Sequence, residues 1–263
     1  MAAATIPQST APPFVEFSEI RPTLGAKIGE GDNGIVHAVK DSAPPRVYKI
    51  ISGDIMNSRE ARIAEIAGRV GVGPAVHRSF ITEQGQRMFT FIEMDHAGKT
   101  LGTHMEEVAE AQAEAEAEPE EELTPEESAR REMIERIEAK LRAESRFTIV
   151  EIEVKPRATI EEAVDHLYDK AEDFYFELFS RIRTLAEANI SYGDTHVGNI
   201  LPNPGTDSGV QLIDFDRSAE HESESAAAAK SLESAYTFIH FKNFRELPDL
   251  SPRSEALIQY FRA

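Results

Sequence analysis

Three glycines spaced as Gly-x-Gly-x-x-Gly are the first residues whose types and positions could do chemistry. They are Gly29, Gly31 and Gly34, and Val36 stands two positions after the last of them. This spacing lets a backbone approach phosphate groups closely and direct its amides at them, although a ligand-free turn rich in Gly and Asn is the alternative. Residues 35–39 have the character of a strand and do not open a helix. The motif therefore predicts a hairpin flap over nucleotide phosphates instead of a dinucleotide-binding fold.

A lysine in an apolar strand is the second candidate. Lys49 lies within the strand-like segment 47–50, where it would either extend to water from an edge strand or bind phosphate oxygens. In the second interpretation, a carboxylate has to hold the ammonium group. Glu60, early in the helix that is predicted next, is the suitable partner, whereas its competitor Glu65 lies on a different face of that helix.

Two aspartates and an asparagine form the third group, late in the chain. Asp194 and Asn199 lie five positions apart in a predicted loop, and Asp214 ends a short apolar strand. Phosphoryl transfer needs a carboxylate near the accepting hydroxyl and hard oxygen ligands for Mg²⁺. Asp194 can supply the first, and Asn199 and Asp214 the second. Each residue alone is typical of a turn, but their order after the glycines and Lys49 favours a joint role.

In this order the motifs resemble those of the eukaryotic-type protein kinase superfamily. The resemblance covers two stretches, residues 20–100 and 156–240. The glycine motif with Val36 matches the Gly-rich loop, Lys49 the strand lysine that pairs with the α- and β-phosphates, and Glu60 the helix glutamate that holds it. Glu93 and Asp95 lie in a segment similar to the hinge, whose backbone would bind adenine. The resemblance implies that all these residues bind the nucleotide.

The late motif matches the catalytic and metal-binding segments of the same family. Asp194 and Asn199 match D-x-x-x-x-N of the catalytic loop, and Asp214 begins a match to the first two positions of D-F-G. The resemblance implies ATP and Mg²⁺ (or Mn²⁺) as cofactors and Ser/Thr hydroxyls of a protein as acceptors. It makes Asp194 and Lys49 catalytic, with His196 beside them, and it makes Asn199 and Asp214 the metal ligands.

Several positions depart from the protein-kinase pattern and keep other functions open. Gly193 replaces the usual arginine before the catalytic aspartate, which implies constitutive or partner-controlled activity, and Asp216 replaces the D-F-G glycine. Gly193-Asp194-x-His196 resembles aminoglycoside and choline kinases, so a small-molecule kinase is one alternative, and a non-catalytic pseudokinase scaffold is another. The short chain after Asp214 resembles the KEOPS-complex kinase, RIO-type kinases and small kinases of viruses and bacterial effectors.

The elements that must position these residues are strands with one helix, followed mainly by helices. Strands are expected at 23–28, 35–39, 47–51, 76–82 and 87–94, with a helix at 57–70. This order predicts an α+β, bilobal protein-kinase-like fold with a small β-rich N-lobe and a reduced, mainly helical C-lobe. The expected boundaries are a flexible tail at 1–19, the N-lobe and hinge at 20–95, and the C-lobe at 96–263 with an insert at about 104–155.

Three further helices are expected in the second half of the chain. Thr124 with Glu127 and Thr159 with Glu162 form capping boxes that begin two of them. The apolar spacing after Thr159 predicts one long buried helix that ends near Asn189, and the last helix begins near residue 225. Residues 147–154 partly alternate and are expected to form a short strand inside the insert.

Composition restricts the function classes further. The chain has 263 residues, a formal net charge of −19 and no cysteine, which excludes disulfides, thiolate chemistry and cysteine-ligated zinc. The charge argues against nucleic-acid binding, and residues 106–122, with nine glutamates in 17 positions, could dock a basic partner. No secretory signal or membrane-spanning run is evident. An intracellular, cytoplasmic protein that acts on a protein substrate of unknown identity is therefore expected.

Overall fold

The protein combines one main antiparallel sheet with several helices, so the expected α+β class is confirmed. The computed structural model describes residues 12–31, 34–53, 57–116, 158–204 and 209–240. None of the helices within these ranges has the length and apolar character that crossing a membrane requires.

Five strands form the main sheet in the spatial order β1-β2-β3-β5-β4, with every neighbouring pair antiparallel. They are β1 (Leu24–Gly31), β2 (Gly34–Val39), β3 (Arg46–Ser52), β4 (Val76–Gln84) and β5 (Arg87–Asp95). Segments rich in Val, Ile, Phe and Tyr between turn residues account for these strands. Each of the five predicted strands is confirmed, and helix α2 (Asn57–Arg69) follows β3 as expected.

Different side chains cover the two faces of this sheet. We call the face that α2 covers the inner face and the opposite one the outer face. An aromatic cluster on the outer face is completed by a residue of the short helix α1 (Phe17–Ile20). Its members are Tyr48, Phe80, Phe91 and Ile20. On the inner face, Ala61 of α2 packs against Ile51 and Ile92. Because successive residues of a strand point to opposite faces, Lys49 belongs to the inner face, beside α2.

The remaining helices build an extensive apolar core. They are α3 (Leu101–Glu116), α4 (Ile160–Leu167), α5 (Ala171–Glu187) and α6 (Glu224–His240). Their buried side chains form one cluster with the apolar face of α2, which includes Leu101, Met105, Phe174, Leu178, Ile182 and Ile63. Helix α2 is therefore packed on the inner face of the sheet and on the helical core at once.

Between α5 and α6 the chain forms short pairs of strands. β6 (Ile190–Ser191) pairs with β9 (Ala219–Glu220), and β7 (Ile200–Leu201) pairs with β8 (Gln211–Leu212). A 3-10 turn at Val197–Asn199 precedes β7. These pairings fix the ends of the two segments that carry the late motif.

The single long helix expected after Thr159 is wrong, because the chain forms α4 and α5 with a break between them. The capping box of Thr159 and Glu162 is confirmed and begins α4. At the break, Tyr168 adopts an extended backbone, its ring packs edge-on against Phe174 at 5.6 Å, and its hydroxyl donates to Glu177 at 3.2 Å. Burial of this ring and its hydrogen bond outweigh the helical periodicity on which the prediction relied.

The prediction of a flexible tail at residues 1–19 is wrong for residues 13–19, which pair with the sheet or form α1. Phe14 forms a parallel bridge with Ile81, which extends the edge of the sheet beyond β4. The backbone N–H of Val15 donates to the carbonyl of Ile81, and the N–H of Ile81 donates to the carbonyl of Pro13, both at 2.9 Å. The part of the predicted tail before residue 12 lies outside the described residues.

The prediction of an insert at about 104–155 is wrong for its first residues, 104–109, which belong to α3. Met105 and Ala109 of α3 are buried in the helical core, so this part of the segment belongs to the body of the fold. The backbone N–H of Ala158 donates to the carbonyl of Met105 at 3.1 Å, which brings the chain back to the same helix. The predicted helix that begins at Thr124 and the predicted strand at 147–154 lie outside the described residues.

Candidate active site

Lys49 belongs to a row of residues that crosses the inner face of the sheet. Gly29 is opposite Val36, Val36 is opposite Lys49, and Lys49 is opposite Ile92. Residues directly opposite each other in antiparallel strands share a face, and neighbouring strands lie about 5 Å apart. The predicted glycine hairpin and the predicted lysine therefore lie side by side on one surface.

Two carboxylates hold the ammonium group of Lys49. Its Nζ donates to Glu60 Oε1 at 2.6 Å and to Asp214 Oδ1 at 2.8 Å, and the lysine side chain is only 13% exposed. The predicted pairing with Glu60 is confirmed, and Glu65 instead accepts a hydrogen bond from Ser79 at 2.7 Å. We call Lys49, Glu60 and Asp214 the lysine triad, since β3, α2 and the segment after β8 meet at one nitrogen atom.

One positive and two negative charges in a buried setting determine the electrostatics of the lysine triad. Burial lowers the pKa of Lys49, but the charges of Glu60 and Asp214 outweigh it, so this pKa lies above its ordinary value. Burial raises the pKa of Glu60, and Lys49 offsets this only in part, while the charges of Asp214 and Asp216 raise it further. The triad thus has an excess of negative charge that a bound cation would compensate.

The glycines of the hairpin differ in what the fold requires of them. A Cβ at Gly34 would lie 2.6 Å from the carbonyl oxygen of Ile50, so the close approach of β2 and β3 requires glycine there. A Cβ at Gly31 would meet no atom within 4 Å, and one at Gly29 would make only ordinary contacts. Packing does not explain glycine at these two positions, whereas close approach of a ligand would. Residues 32–33 lie outside the described part of the hairpin.

Asp194 lies at the centre of a second polar cluster. Asn199 Nδ2 donates to its Oδ2 at 3.0 Å and to its backbone carbonyl at 3.1 Å. His196 Nε2 lies 3.4 Å from the same Oδ2, and Arg217 Nη1 lies 3.3 Å from Oδ1. Both carboxylate oxygens are thereby oriented, and the side chain still has 19% of its surface exposed. Asp194 is both positioned and accessible, as a residue that interacts with an acceptor hydroxyl has to be.

The buried hydroxyl of Tyr192 connects this cluster with the lysine triad. It donates to the carbonyl of Ile213 at 2.6 Å, and the side chain of Asn199 also hydrogen-bonds it. Burial raises the pKa of Tyr192 well above its ordinary value, and three nearby carboxylates raise it further. These carboxylates belong to Asp214, Asp194 and Asp216. The predicted catalytic and metal-binding side chains are therefore brought together around one phenol.

Asn199 and Asp214 carry oxygen atoms of the kind that Mg²⁺ prefers as ligands. Asn199 uses its nitrogen to bind Asp194, so its carbonyl oxygen and the Asp214 carboxylate are the atoms that could hold the ion. Burial raises the pKa of Asp216, and the charge of Asp214 raises it further, as expected where carboxylates are crowded. Within the described residues, no three His, Cys, Asp or Glu side chains form a group that could hold a metal ion. Mg²⁺ often takes only one or two carboxylates and fills its other positions with water and phosphate oxygens.

Two serines of α6 support the loop that carries Asp194. The backbone N–H of Tyr192 donates to Ser231 Oγ at 2.9 Å, and that of Thr195 donates to Ser234 Oγ at 3.0 Å. The serines are three positions apart, so both hydroxyls lie on one face of the helix. Neither serine is among the residues predicted for the site, because a serine pair at this spacing has no signature that distinguishes it from ordinary helical serines.

Gly193 explains how Arg217 comes close to Asp194. A Cβ at position 193 would lie 2.3 Å from the carbonyl oxygen of Arg217, so only glycine allows the two segments to approach so closely. Arg217 is not among the residues predicted for the site. The signal that could have identified it is its isolation, since Arg217 is the only Lys or Arg between Arg183 and Lys230.

The side chain of Glu93 lies away from this site. Glu93 is opposite Tyr48 in the strand register and therefore lies on the outer face of the sheet. Its carboxylate pairs with Arg78 at 2.6 Å and with Arg46 at 3.1 Å. Burial raises the pKa of Glu93, but the hydrogen bonds from these two arginines outweigh it and lower the pKa below its ordinary value. The carboxylate is thus part of a structural ion-pair network, and any adenine contact would involve the backbone.

Asp95 is likewise occupied by contacts within the protein. Its carboxylate lies 2.6 Å from His77 Nε2, and its backbone N–H donates to the carbonyl of Ala75 at 3.0 Å. Binding of adenine through this N–H would require the second hydrogen bond to open. The hinge role of Asp95 stays a prediction.

The site as a whole combines a bare glycine hairpin, a buried lysine and an oriented carboxylate. Such a set can bind phosphate groups and orient a hydroxyl next to them. The sequence matches no protein-family model and no curated protein.

Proposed function

We propose that the protein transfers the γ-phosphoryl group of ATP to a Ser or Thr hydroxyl of a protein substrate, with Mg²⁺ or Mn²⁺ bound. The observation that carries this proposal is that Lys49 Nζ bonds Glu60 and, across 165 positions of the sequence, Asp214. Two carboxylates with unrelated structural roles would not be expected to contact one buried lysine. The same convergence supports a bilobal, protein-kinase-like arrangement, with the sheet and α2 as N-lobe and the other helices as C-lobe.

The glycine hairpin and the lysine triad would bind the nucleotide. The bare backbone at Gly29 and Gly31 would lie over the phosphates, and Lys49 would bind their oxygens. Glu60, only 6% exposed, keeps the ammonium group in position because the lysine stem has many rotamers. In this interpretation Asp214 shares the lysine before the nucleotide is bound.

In the transfer, the oxygen of the acceptor hydroxyl attacks the γ-phosphorus, and the bond from that phosphorus to the β–γ bridging oxygen breaks. ADP leaves with the bridging oxygen, and the hydroxyl proton passes to Asp194 and then to water. Asn199 holds Asp194 in the orientation that accepts this hydrogen bond. Positioning and charge compensation supply most of the rate in reactions of this kind.

Asn199 and Asp214 would hold the metal ion. A bound ion would supply compensation for the negative charge that develops on the phosphate groups. Because Asp214 also accepts a hydrogen bond from Lys49, loss of its carboxylate would affect both the metal and the lysine.

Transfer of label from γ-labelled ATP tests the proposal. We expect wild-type protein to label itself or a generic protein substrate, and we expect Asp194→Asn and Asp214→Asn each to lower the rate by about 100-fold or more. Asp165→Asn, at an exposed position of α4, is the matched control and should retain the wild-type rate. Equal incorporation by wild type and both site variants, or no incorporation by wild type, would reject the proposal.

A small hydroxylated molecule is the second candidate acceptor. The observation that favours it is the contact between His196 and Asp194, because His196 is 51% exposed and would line the space where an acceptor arrives. The order Gly193-Asp194-x-His196 also resembles small-molecule kinases. ATP consumption measured over amino alcohols, aminoglycosides and sugars separates the two, since acceptor-dependent turnover without protein labelling favours this candidate. ATP binding without any turnover would instead favour a pseudokinase.

A further inference from the structure

We propose that Arg217 is a specificity-determining residue that binds an anionic group beside the acceptor hydroxyl, so that the preferred acceptor is an acidic segment of a protein. This inference rests on the proposed function, because it concerns how an acceptor reaches Asp194. It assigns a substrate class to the site, which the catalytic and metal-binding residues do not do.

Asn199, His196 and Arg217 contact the carboxylate of Asp194, and they differ in how readily an acceptor could displace them. Asn199 is buried and binds Asp194 through two hydrogen bonds. His196 is held through its own ring, because its Nδ1 accepts a hydrogen bond from the backbone N–H of Gly198 at 3.0 Å. Arg217, in contrast, has a side chain that is 67% exposed. The arginine is therefore the partner that an incoming hydroxyl can displace, and Oδ1 is the oxygen that becomes available.

The backbone of Arg217 determines where its displaced guanidinium group would remain. The backbone N–H of Arg217 donates to Asp216 Oδ1 at 2.6 Å, and its carbonyl packs against Gly193. The backbone of Arg217 is thus fixed within the site, and only its long side chain is free to turn. A displaced guanidinium group would stay beside the acceptor instead of leaving the site.

The positive charge of the displaced Arg217 guanidinium determines which acceptor it favours. Once an acceptor hydroxyl has replaced it on Asp194, the guanidinium of Arg217 is available to another anion, and a carboxylate next to the acceptor residue supplies one. A Lys or Arg at the same position of the acceptor would be repelled. The net charge of −19 would favour a basic partner, but charges in contact decide at this point because salt screens the others over about 8 Å.

Peptides of equal length with one serine test this inference. The residues that flank the serine are Asp and Glu in the first peptide, Asn and Gln in the second, and Lys and Arg in the third. We expect wild-type kcat/KM to be about fivefold higher for the acidic than for the neutral peptide, which is the size of an exposed ion pair. We expect Arg217→Glu to reverse the order, so that the basic peptide becomes the best of the three.

Arg183→Glu is the matched control. It changes the net charge by the same amount but lies on the exposed side of α5, where Arg183 pairs with Glu187. It should retain the wild-type preference for the acidic peptide. An Arg217→Glu variant that loses kcat equally for all three peptides would overturn the inference, because the arginine would then serve the transferring phosphoryl group.

A binding measurement separates failure of the inference from failure of the proposed function. The same peptides, labelled with a fluorophore, are titrated with wild type and Arg217→Glu in the presence of a non-hydrolysable ATP analogue. If wild type transfers no phosphate to any peptide, the proposed function fails. Tighter binding of the acidic peptide by wild type than by Arg217→Glu still supports the inference in that case. Equal binding of all peptides by both proteins overturns it.

Discussion

The buried charge of Glu60 reduces the stability of the folded protein, whereas the proposed chemistry requires that charge to hold Lys49. Its carboxylate is 6% exposed and shares Lys49 with Asp214. Burial raises the pKa of Glu60 above its ordinary value of 4.5, so the folded protein binds a proton more readily here than the unfolded chain does. The contribution of this group to the free energy of unfolding is therefore greatest at low pH and falls as the pH rises from about 4.5 through the raised value.

We expect Glu60→Gln to reduce this fall in stability while it impairs phosphoryl transfer. The amide keeps the shape of the side chain and has no charge to bury, but it holds the ammonium group of Lys49 only through a weaker hydrogen bond to a neutral oxygen. If Lys49, which would bind the phosphates, is displaced, we expect the rate of phosphoryl transfer to fall about 100-fold. The measurements are urea unfolding between pH 4.5 and 8 and label transfer from ATP at neutral pH.

Glu65→Gln is the control for that experiment. It lies on the same helix, and its carboxylate binds Ser79 instead of Lys49. The wild-type and Glu60→Gln curves of unfolding free energy against pH should diverge in the acidic range. Parallel curves, or unchanged transfer by Glu60→Gln, would contradict the role of Glu60 as a buried positioning group.

Among the elements, α6 is the one whose importance for the site is least visible in its sequence. The hydroxyls of Ser231 and Ser234 accept hydrogen bonds from the backbone N–H groups of Tyr192 and Thr195, the residues on either side of Gly193 and Asp194. Ser231 is fully buried and also donates to the carbonyl of Ala227 at 2.9 Å. A regular helix therefore supplies the partners of a loop that cannot satisfy its own backbone.

We expect Ser234→Ala to lower kcat about tenfold and to leave the KM for ATP unchanged. The variant loosens the backbone beside Asp194 but does not touch the lysine triad or the glycine hairpin. Ser231→Ala leaves a buried N–H without its partner, which costs about 1–3 kcal/mol of unfolding free energy. The measurements are steady-state kinetics with varied ATP and thermal unfolding of both variants.

Ser234→Thr and Ser225→Ala are the comparisons for the α6 serines. Threonine keeps the hydroxyl and should restore kcat, and Ser225 is an exposed residue of the same helix. An unchanged kcat in Ser234→Ala, or an increase in its KM for ATP, would show that the serine does not position Asp194.

The elements also show which parts of the molecule are predictable from sequence. The strands and α2 follow from local alternation and spacing, and Lys49 and Glu60 could be paired because both lie on regular elements. The break at Tyr168 depends on a tertiary contact with Phe174, and local periodicity cannot express such a contact. Arg217 joins the site because β6 and β9 pair and bring two distant segments together, and its isolation in the sequence does not show which segment it will meet.

At the scale of the whole molecule, the chain that leaves α3 returns to the same helix before α4 begins. Ala158 returns to Met105, and the core side of α3 ends at Ala109, after which the side chains of residues 110–115 are exposed. The described part of the glutamate-rich segment thus begins on a core helix, and its side chains are exposed from residue 110 to residue 115. A deletion that starts at residue 106 would remove part of the core as well as the acidic residues.

We expect the fold and ATP-dependent transfer to survive replacement of residues 117–157 by an eight-residue Gly/Ser linker. The end of α3 lies about 16 Å along the helix from Met105. About five extended residues span this distance, so a linker of eight residues is long enough. Loop length has only a weak effect on stability, and the transfer rate should remain within about twofold of wild type. Deletion of residues 106–122 is the contrasting variant and should lower the melting temperature, because it removes the buried Ala109. If the linker variant keeps its melting temperature but loses transfer, residues 117–157 belong to the catalytic body and the body of the fold is larger than the apolar core indicates.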